Sequence, residues 1–339
     1  MARRSATIKD VAAAAGVGIA TVSRVFSGTG SVSAATRERV LAAARELDYR
    51  PSALGRGLKL RRSGGIGLVV PDVTDPFCAE LIAGVLACAS TLGGHVIVDA
   101  AHGDPSREAE IVERFVEQRV DGVIAHPAGT EADWRGAARV CSSVVFAGRN
   151  LPGLPEIPAV LADDAGGVRS LTEYLVGLGH RRIGFLGAAP ASPSRVREDA
   201  FRATLADLGI PVEEDLVVAA RPAGDAAYAA AAGLLQRRDD VTALLAAGHL
   251  LGEAAVLVAR ELDLRVPADV SIAMVDDVAW AELCDPPLTA VARPGRDIGF
   301  RACEMLLREP ARRGRGGPVL VPTELVVRGS CGPLRGTRR

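Results

Sequence analysis

Apolar positions recur at helical spacing through the first 50 residues and in short strand-like runs from Gly64 onward. Thr7-Ile8-Lys9-Asp10-Val11 predicts the start of a short helix, with Asp10 three residues after a capping Thr7. Ala15-Gly16-Val17 breaks it, and Ile19 to Phe26 begins a second helix. Val32-Ser33-Ala34-Ala35-Thr36-Arg37 begins a third, which Tyr49-Arg50-Pro51-Ser52 ends. Ile8, Val11, Val22 and Val25 are expected to form a small apolar centre. Two short helices around a glycine turn, the second with a polar face, predict a helix-turn-helix able to enter a DNA major groove.

Beyond Gly64, apolar runs alternate with longer amphipathic stretches. The predicted strands are Ile66–Val70, His95–Val98, Gly122–Ala125, Ser143–Ala147 and Val160–Ala162. A second cycle has Arg182–Leu186, Val217-Val218, Ala243–Ala246 and Ser271–Val275. Continuous apolar strands between helices predict parallel sheets covered on both faces. The expected fold is α/β: an all-α head, then two doubly wound Rossmann-like lobes facing a cleft. Ligands of such sheets bind at strand carboxyl ends. That singles out Asp72–Phe77, His126, Arg149, Asp163-Asp164, Arg197, Gly248-His249 and Asp276-Asp277.

Charge sharpens this division. The net charge of −1 conceals a basic head: residues 1–62 hold 12 Lys and Arg against 4 acids, or +8, and the remainder carries −9. Such asymmetry suits phosphate attraction at one end only. Six scattered cysteines show no metal-ligand or redox spacing, so free thiols and a cytoplasmic setting are expected. No apolar run is long enough to cross a bilayer, and the basic N-terminus has no apolar segment typical of a secretory signal. No cofactor or metal is expected. Phosphate-loop, GxSxG and HExxH motifs are absent, which argues against an enzyme.

TIKDVAAAAGVGIATVSRVFSG followed by VSAATRERVLAAARELDYRPS resembles the lactose/galactose repressor (LacI/GalR) family. IGLVVPDVTDPF, DGVIAHP, LGHRRIGFLG, VPADVSIAMVDD, PPLTAV and PTELVVRGS extend the resemblance along nearly the whole chain. It implies a homodimeric regulator, most simply a repressor, that reads a pseudo-palindromic operator. It also implies a periplasmic-binding-protein-like core holding a small effector, a sugar or sugar derivative. The implied organisation is a head at 1–50, a hinge at 51–63 and a core at 64–339. Lobe 1 would take 64–160 and 290–322, and lobe 2 would take 161–289 and 323–332. A transport-type binding protein is the alternative that fits the core but not the head.

On this resemblance Ile19, Ala20 and Arg24 are the base-reading positions. An arginine can grip guanine with two hydrogen bonds, while Ile19 and Ala20 offer only apolar contact, such as to a thymine methyl. Thr7, Thr21, Ser23, Ser33, Thr36 and Arg37 are the expected helix-capping and phosphate-positioning groups. Gly18 stands where the family usually has serine. Leu58 matches the leucine that wedges into the minor groove, its alternative being core packing. Gly55 and Gly57 disfavour the hinge helix by up to about 1 kcal/mol each relative to alanine.

In the cleft, Arg197 and Asp276 resemble the pair that engages sugar hydroxyls. A structural ion pair and a helix cap are their alternatives. Asp75-Pro76-Phe77 replaces Asn-Pro-Phe, with Phe77 either stacking on a ligand or packing in the core. His126 and Arg149 follow strand ends. Gly248-His249 replaces Asn-Asp, the largest departure, which is compatible with a larger, a phosphorylated or a non-sugar effector, or with a lost response, rather than with a standard monosaccharide.

Overall fold

The computed structural model describes residues 6–27, 30–49, 64–141, 143–188, 194–221, 224–237, 240–308 and 317–334. The expected hinge, with Gly55, Gly57 and Leu58, lies outside the described residues. The chain divides into two compact units, one holding the head together with Gly65 and Glu117–Asp121 and the other the rest of the core, and head and core are described in turn.

The head comprises α1 (Ile8–Ala15), α2 (Ile19–Ser27) and α3 (Ala34–Glu46). The Thr7 backbone N–H and hydroxyl both donate to Asp10 Oδ2, at 2.8 and 2.7 Å. This fixes the start of α1 as its sequence predicts. Gly16 ends the helix at φ 64, a left-handed conformation that glycine adopts without Cβ strain. The Gly18 carbonyl then accepts from the N–H groups of Thr21 and Val22, which starts α2. Val11, Val22 and Val40 are fully buried, with Val25, Ala12, Ala15, Ala43 and Ala44 around them. Ile8 packs at the rim of this centre rather than inside it, because Val40 of α3 fills the middle.

The core contains two six-stranded sheets. The first has the order β11-β5-β4-β3-β1-β2, built from β1 (Gly65–Val70), β2 (His95–Ala100), β3 (Gly122–Ala125), β4 (Val144–Ala147), β5 (Ala159–Ala162) and β11 (Val319–Val321). The second has the order β12-β10-β9-β8-β6-β7, from β6 (Ile183–Ala188), β7 (Val217–Ala220), β8 (Ala243–Ala246), β9 (Ser271–Val275), β10 (Thr289–Ala292) and β12 (Glu324–Val326). In the first sheet β1 pairs with β3, β3 with β4, β4 with β5 and β5 with β11, all parallel. In the second, β12 alone runs antiparallel, against β10. The central strands are buried along their length, as helices on both faces require.

The helices of the core are α4 (Pro76–Thr91), α5 (Pro105–Glu117), α6 (Glu131–Val140), α7 (Asp164–Gly177), α8 (Ser194–Asp207), α9 (Gly224–Arg237), α10 (His249–Glu261), α11 (Ala279–Leu283) and α12 (Gly295–Arg308). Helices α4 and α12 meet backbone to backbone. A Cβ on Gly84 would lie 2.0 Å from the Arg296 carbonyl oxygen, and one on Gly299 would lie 2.1 Å from that of Leu81.

The chain passes between the sheets three times. It leaves β5 for α7 at Asp163-Asp164, leaves β10 for α12 at Arg293-Pro294, and leaves β11 for β12 at Pro322-Thr323. The return to the first lobe begins after Ala292. Thr289–Ala292 reads as an apolar strand of either sheet, and its pairing with β9 and β12 puts it in the second. The crossovers touch one another: the Asp163 N–H donates to the Val321 carbonyl at 2.9 Å, and the Thr323 hydroxyl donates to the Asp163 carbonyl at 3.1 Å.

Candidate functional site

In the head, α2 presents Ile19, Ala20 and Arg24 on its exposed side, and Ile19 is 46% exposed despite being apolar. Val22 and Val25, on the other face, are buried. Ala20 and Arg24 are one turn apart and so share a face. Thr21 and Ser23 are half-buried at its edges, and Arg37 is exposed on α3. Ser33 is the N-cap of α3: its hydroxyl oxygen accepts from the Thr36 N–H at 3.2 Å and the hydroxyl donates to Thr36 Oγ1 at 2.9 Å. Thr7, Ser33 and Thr36 thus shape helix starts, where N–H groups also face any bound phosphate.

In the core, strand ends bring most of the expected cleft residues together. Asp276 follows β9 at φ 76, a left-handed backbone for a non-glycine residue. Such a conformation costs about 1–3 kcal/mol and clusters at functional sites. Its Oδ1 accepts from Arg293 Nη1 at 3.1 Å, and its Oδ2 lies 3.5 Å from His249 Nδ1. Arg197, only 6% exposed, reaches from α8 to donate to the Ala247 carbonyl and to Asp164 at 3.3 Å. Arg293 Nε stands 3.0 Å from Asp164 Oδ1. The result is a buried chain of alternating charge, Arg197–Asp164–Arg293–Asp276–His249.

The electrostatics follow from that chain. Burial alone would raise the Asp276 pKa, but Arg293, His249 and Arg197 together hold its carboxyl well below the usual carboxylate range. The Asp276 hydrogen bond raises the His249 pKa against the opposing effect of burial. Burial favours loss of charge on Arg293, and the facing Asp164 and Asp276 outweigh it. The Arg197 Nε is buried without a hydrogen-bond partner, whereas the Arg293 Nε meets Asp164 as an ion pair rather than a hydrogen bond.

Phe77 begins α4 behind the Asp75 cap, whose Oδ1 accepts from the Cys78 N–H at 2.9 Å. Its ring is 8% exposed, lies 5.5 Å from the His126 ring centroid, and carries the Arg293 guanidinium 3.9 Å from its own centroid. One face of this ring is therefore occupied by a cation of the chain itself. His126 is pushed down to about 4 by burial. Its ring is neutral at pH 7, with Nδ1 2.8 Å from the Ala147 carbonyl and thus the protonated nitrogen. Gly148 has φ 76, and a Cβ there would strike the Phe77 ring at 2.5 Å. Gly248 caps α10, and a Cβ there would lie 3.8 Å from Asp276 and 3.9 Å from Arg197, so its missing side chain leaves room beside both. Asp277 pairs with both terminal nitrogens of Arg328 at 2.7 and 2.9 Å, a structural role.

Arg149 stands apart from this group. Its Nη1 donates to the carbonyls of Pro127 and Ala128 at 2.7 and 2.9 Å. That loop is held by Glu108, 1% exposed, which accepts from the N–H groups of Ala128 and Gly129 and from Trp134 Nε1. Arg149 lines a cavity of about 510 Å³ with Asp163 and Asp164 of the first crossover and Arg195 of α8. This cavity has the volume of a small-ligand pocket. Sequence reasoning missed Arg293 and Glu108. Arg293 follows a strand end, the same signal that found Asp276, but Thr289–Ala292 is not among the strands that the sequence predicts. Glu108 looks like any acid in the first turn of an exposed helix.

Among the described residues no helix is long and apolar enough to cross a membrane, and no cluster of His, Cys, Asp or Glu could hold a metal. Residues 7–52 match the family described as bacterial regulatory proteins, lacI family, and residues 172–331 match a periplasmic binding protein-like domain. The HTH-type transcriptional regulator DegA of Bacillus subtilis is 32% identical over 97% of this chain and 98% of its own length. The HTH-type transcriptional repressor CytR of Escherichia coli is 32% identical over 97% of both chains. The regulator CelR of Thermobifida fusca is 35% identical, over 97% of this chain and 99% of its own. The structure of the Lac repressor dimer bound to operator and the anti-inducer ONPF has a TM-score of 0.86 at 27% identity, covering 97% of this chain and all of that one. A CelR–cellobiose complex has a TM-score of 0.72 at 32% identity, covering 96% and 99%. With a helix-turn-helix head, a two-lobed core and relatives that match from end to end, this chain belongs to the lacI family of bacterial transcriptional regulators.

Proposed function

We propose that this chain is a cytoplasmic, homodimeric repressor whose hold on a pseudo-palindromic operator is set by a small effector in the interlobe cleft. In this reading Arg24 reads a base pair, Ile19 and Ala20 make apolar contact with base edges, and Thr21, Ser23 and Arg37 position the head on phosphates. The effector is a sugar derivative larger than or chemically distinct from a monosaccharide, engaged from the Arg197–Asp276 cluster and Arg149. The CelR–cellobiose complex supports a saccharide-like ligand, and six cysteines without a disulfide support a reducing compartment. Ligand binding changes the lobes and thereby the free energy of operator binding, a coupling of typically about 1–3 kcal/mol.

One observation carries the proposal: a solvent-facing recognition helix and a cleft lined by buried charges belong to one chain. A transport-type binding protein has no use for the former. The test is a band-shift titration of the full-length chain on DNA from upstream of its own gene, with random competitor. Retention of one site against excess competitor is the expected result. Binding that is sequence-blind and lost with salt overturns the proposal.

A further inference from the structure

Arg293 stands on the second crossover, outside both sheets, and reaches into both lobes. Its guanidinium carbon lies 3.9 Å from the centre of the Phe77 ring, which opens α4 and packs in the core of the first lobe. Its Nη1 donates at 3.1 Å to Asp276 Oδ1, just past β9 of the second lobe. Its Nε stands 3.0 Å from Asp164 Oδ1 on the first crossover. Carboxylates of the second lobe and of a crossover thus meet an aromatic face of the first through one buried cation.

A ligand of the cleft competes with Arg293 for these groups. Both oxygens of Asp276 are engaged: Oδ1 holds Arg293, and Oδ2 lies 3.4 Å from the His249 N–H nitrogen and 3.5 Å from its Nδ1. Asp164 is flanked by Arg197 and Arg293. One face of Phe77 is under the guanidinium. Small-molecule sites offer aromatic faces and a few placed polar groups, and a bound molecule ordinarily completes them. Here a planar, charged side chain completes them from within, and being tethered it loses little freedom in doing so.

We propose that Arg293 is a built-in occupant of the effector cleft. It fastens Phe77 of the first lobe to Asp276 of the second without any ligand, and an effector that uses either group enters by displacing it. The effector-free lobes are thereby held in the relation that supports operator binding. This inference rests on the effector-controlled reading above and deepens it.

Its test uses the full-length chain, the variant Arg293→Ala and ethylguanidinium chloride as the probe, against sodium chloride at equal ionic strength. Melting temperature is measured together with anisotropy titration on the upstream DNA that wild type retains against random competitor. Arg293→Ala should bind that DNA at least about ten-fold more weakly than wild type. Ethylguanidinium should raise the melting temperature of the variant saturably and restore most of its DNA binding, with neither effect in wild type. A merely structural arginine predicts no such rescue. Phe77→Leu leaves both ion pairs and most of the apolar volume in place, and it should weaken DNA binding about five-fold even if Arg293→Ala does not fold. DNA binding unchanged or tightened in either variant overturns the inference, as does ethylguanidinium acting alike on wild type and Arg293→Ala. Wild type that retains no DNA site fails the regulator reading instead, and the melting temperatures then still decide whether Arg293 fills a site.

Discussion

The Arg293 guanidinium lies 3.9 Å above the centre of the Phe77 ring while pairing with Asp276 at 3.1 Å. One cation thus serves an aromatic face and two carboxylates, Asp164 and Asp276, in a place where its side chain is 7% exposed. Desolvated cation–π contacts are worth about 2 kcal/mol, and an uncompensated buried charge costs more. Arg293→Met should lower the stability of the core by about 3–5 kcal/mol, because both carboxylates lose their shared partner. Urea unfolding followed by the fluorescence of Trp134 and Trp280, the two tryptophans of the chain, measures it. Adding Asp164→Asn and Asp276→Asn to Arg293→Met should recover most of the loss. A single variant as stable as the parent contradicts the network.

Stability should pass through a maximum near neutral pH. His126, pushed down to about 4, and His180, also lowered by burial, bind fewer protons folded than unfolded, so stability grows as pH rises toward about 6.5. His249 acts oppositely. Its raised pKa adds stability that is complete below about 6.5 and is lost as pH rises through the folded value. His249→Asn should flatten the alkaline side of the profile and leave the acid side in place. Melting temperatures in matched buffers across this range decide the matter.

Glu108 gathers three donors, two backbone N–H groups and the Trp134 indole. Glu108→Ala orphans all of them at about 1–3 kcal/mol each. It also loosens the Pro127–Ala128 carbonyls that hold Arg149. The expected variant is less stable, shows altered Trp134 emission and responds more weakly to effector. Normal effector affinity in folded Glu108→Ala would separate the loop from the site.

The head offers a gain as well as a loss. Nothing lies within 4 Å of a Cβ built on Gly18, so serine fits there without displacement. Gly18→Ser should add a few tenths of a kcal/mol through the α2 cap. It should also tighten DNA binding about equally across sequences. Arg24→Ala should cost about 1–3 kcal/mol and relax selectivity at one base pair. Fluorescence-anisotropy titrations on operator and scrambled duplexes distinguish these outcomes.

Close contact of α4 with α12 makes a further prediction. Gly299→Ala places a methyl group 2.1 Å from the rigid Leu81 carbonyl and should cost about 1–3 kcal/mol by overpacking. Thermal denaturation monitored by circular dichroism reads this directly.

The helices of the head and most strands of the core were legible because burial on one or both faces leaves a periodic trace in the chain. The Thr7–Asp10 cap and the Gly16 turn were legible for the same local reason. What stayed hidden was non-local. Thr289–Ala292 is apolar enough for either sheet, and only its pairing with Ser271–Val275 and Glu324–Val326 decides between them. Arg293 inherits that ambiguity, so neither its cover over Phe77 nor its tie to Asp164, 129 positions earlier, leaves a mark in the local sequence. Phe77 reads as either a ligand-stacking or a core residue, and no pattern of its neighbours announces that a face of its ring is taken by Arg293.

Asp164 and Arg293 ride on the peptide straps between the lobes rather than on the body of either. A chimera that exchanged the second lobe for a relative's would cut next to both. Breakpoints that split them strand a buried charge on each half, whereas breakpoints that move the straps together, with Thr323, carry a finished joint. Recombination between members of this lineage is therefore constrained at residues 163–164, 293–294 and 322–323, a boundary that a domain map drawn lobe by lobe would overlook.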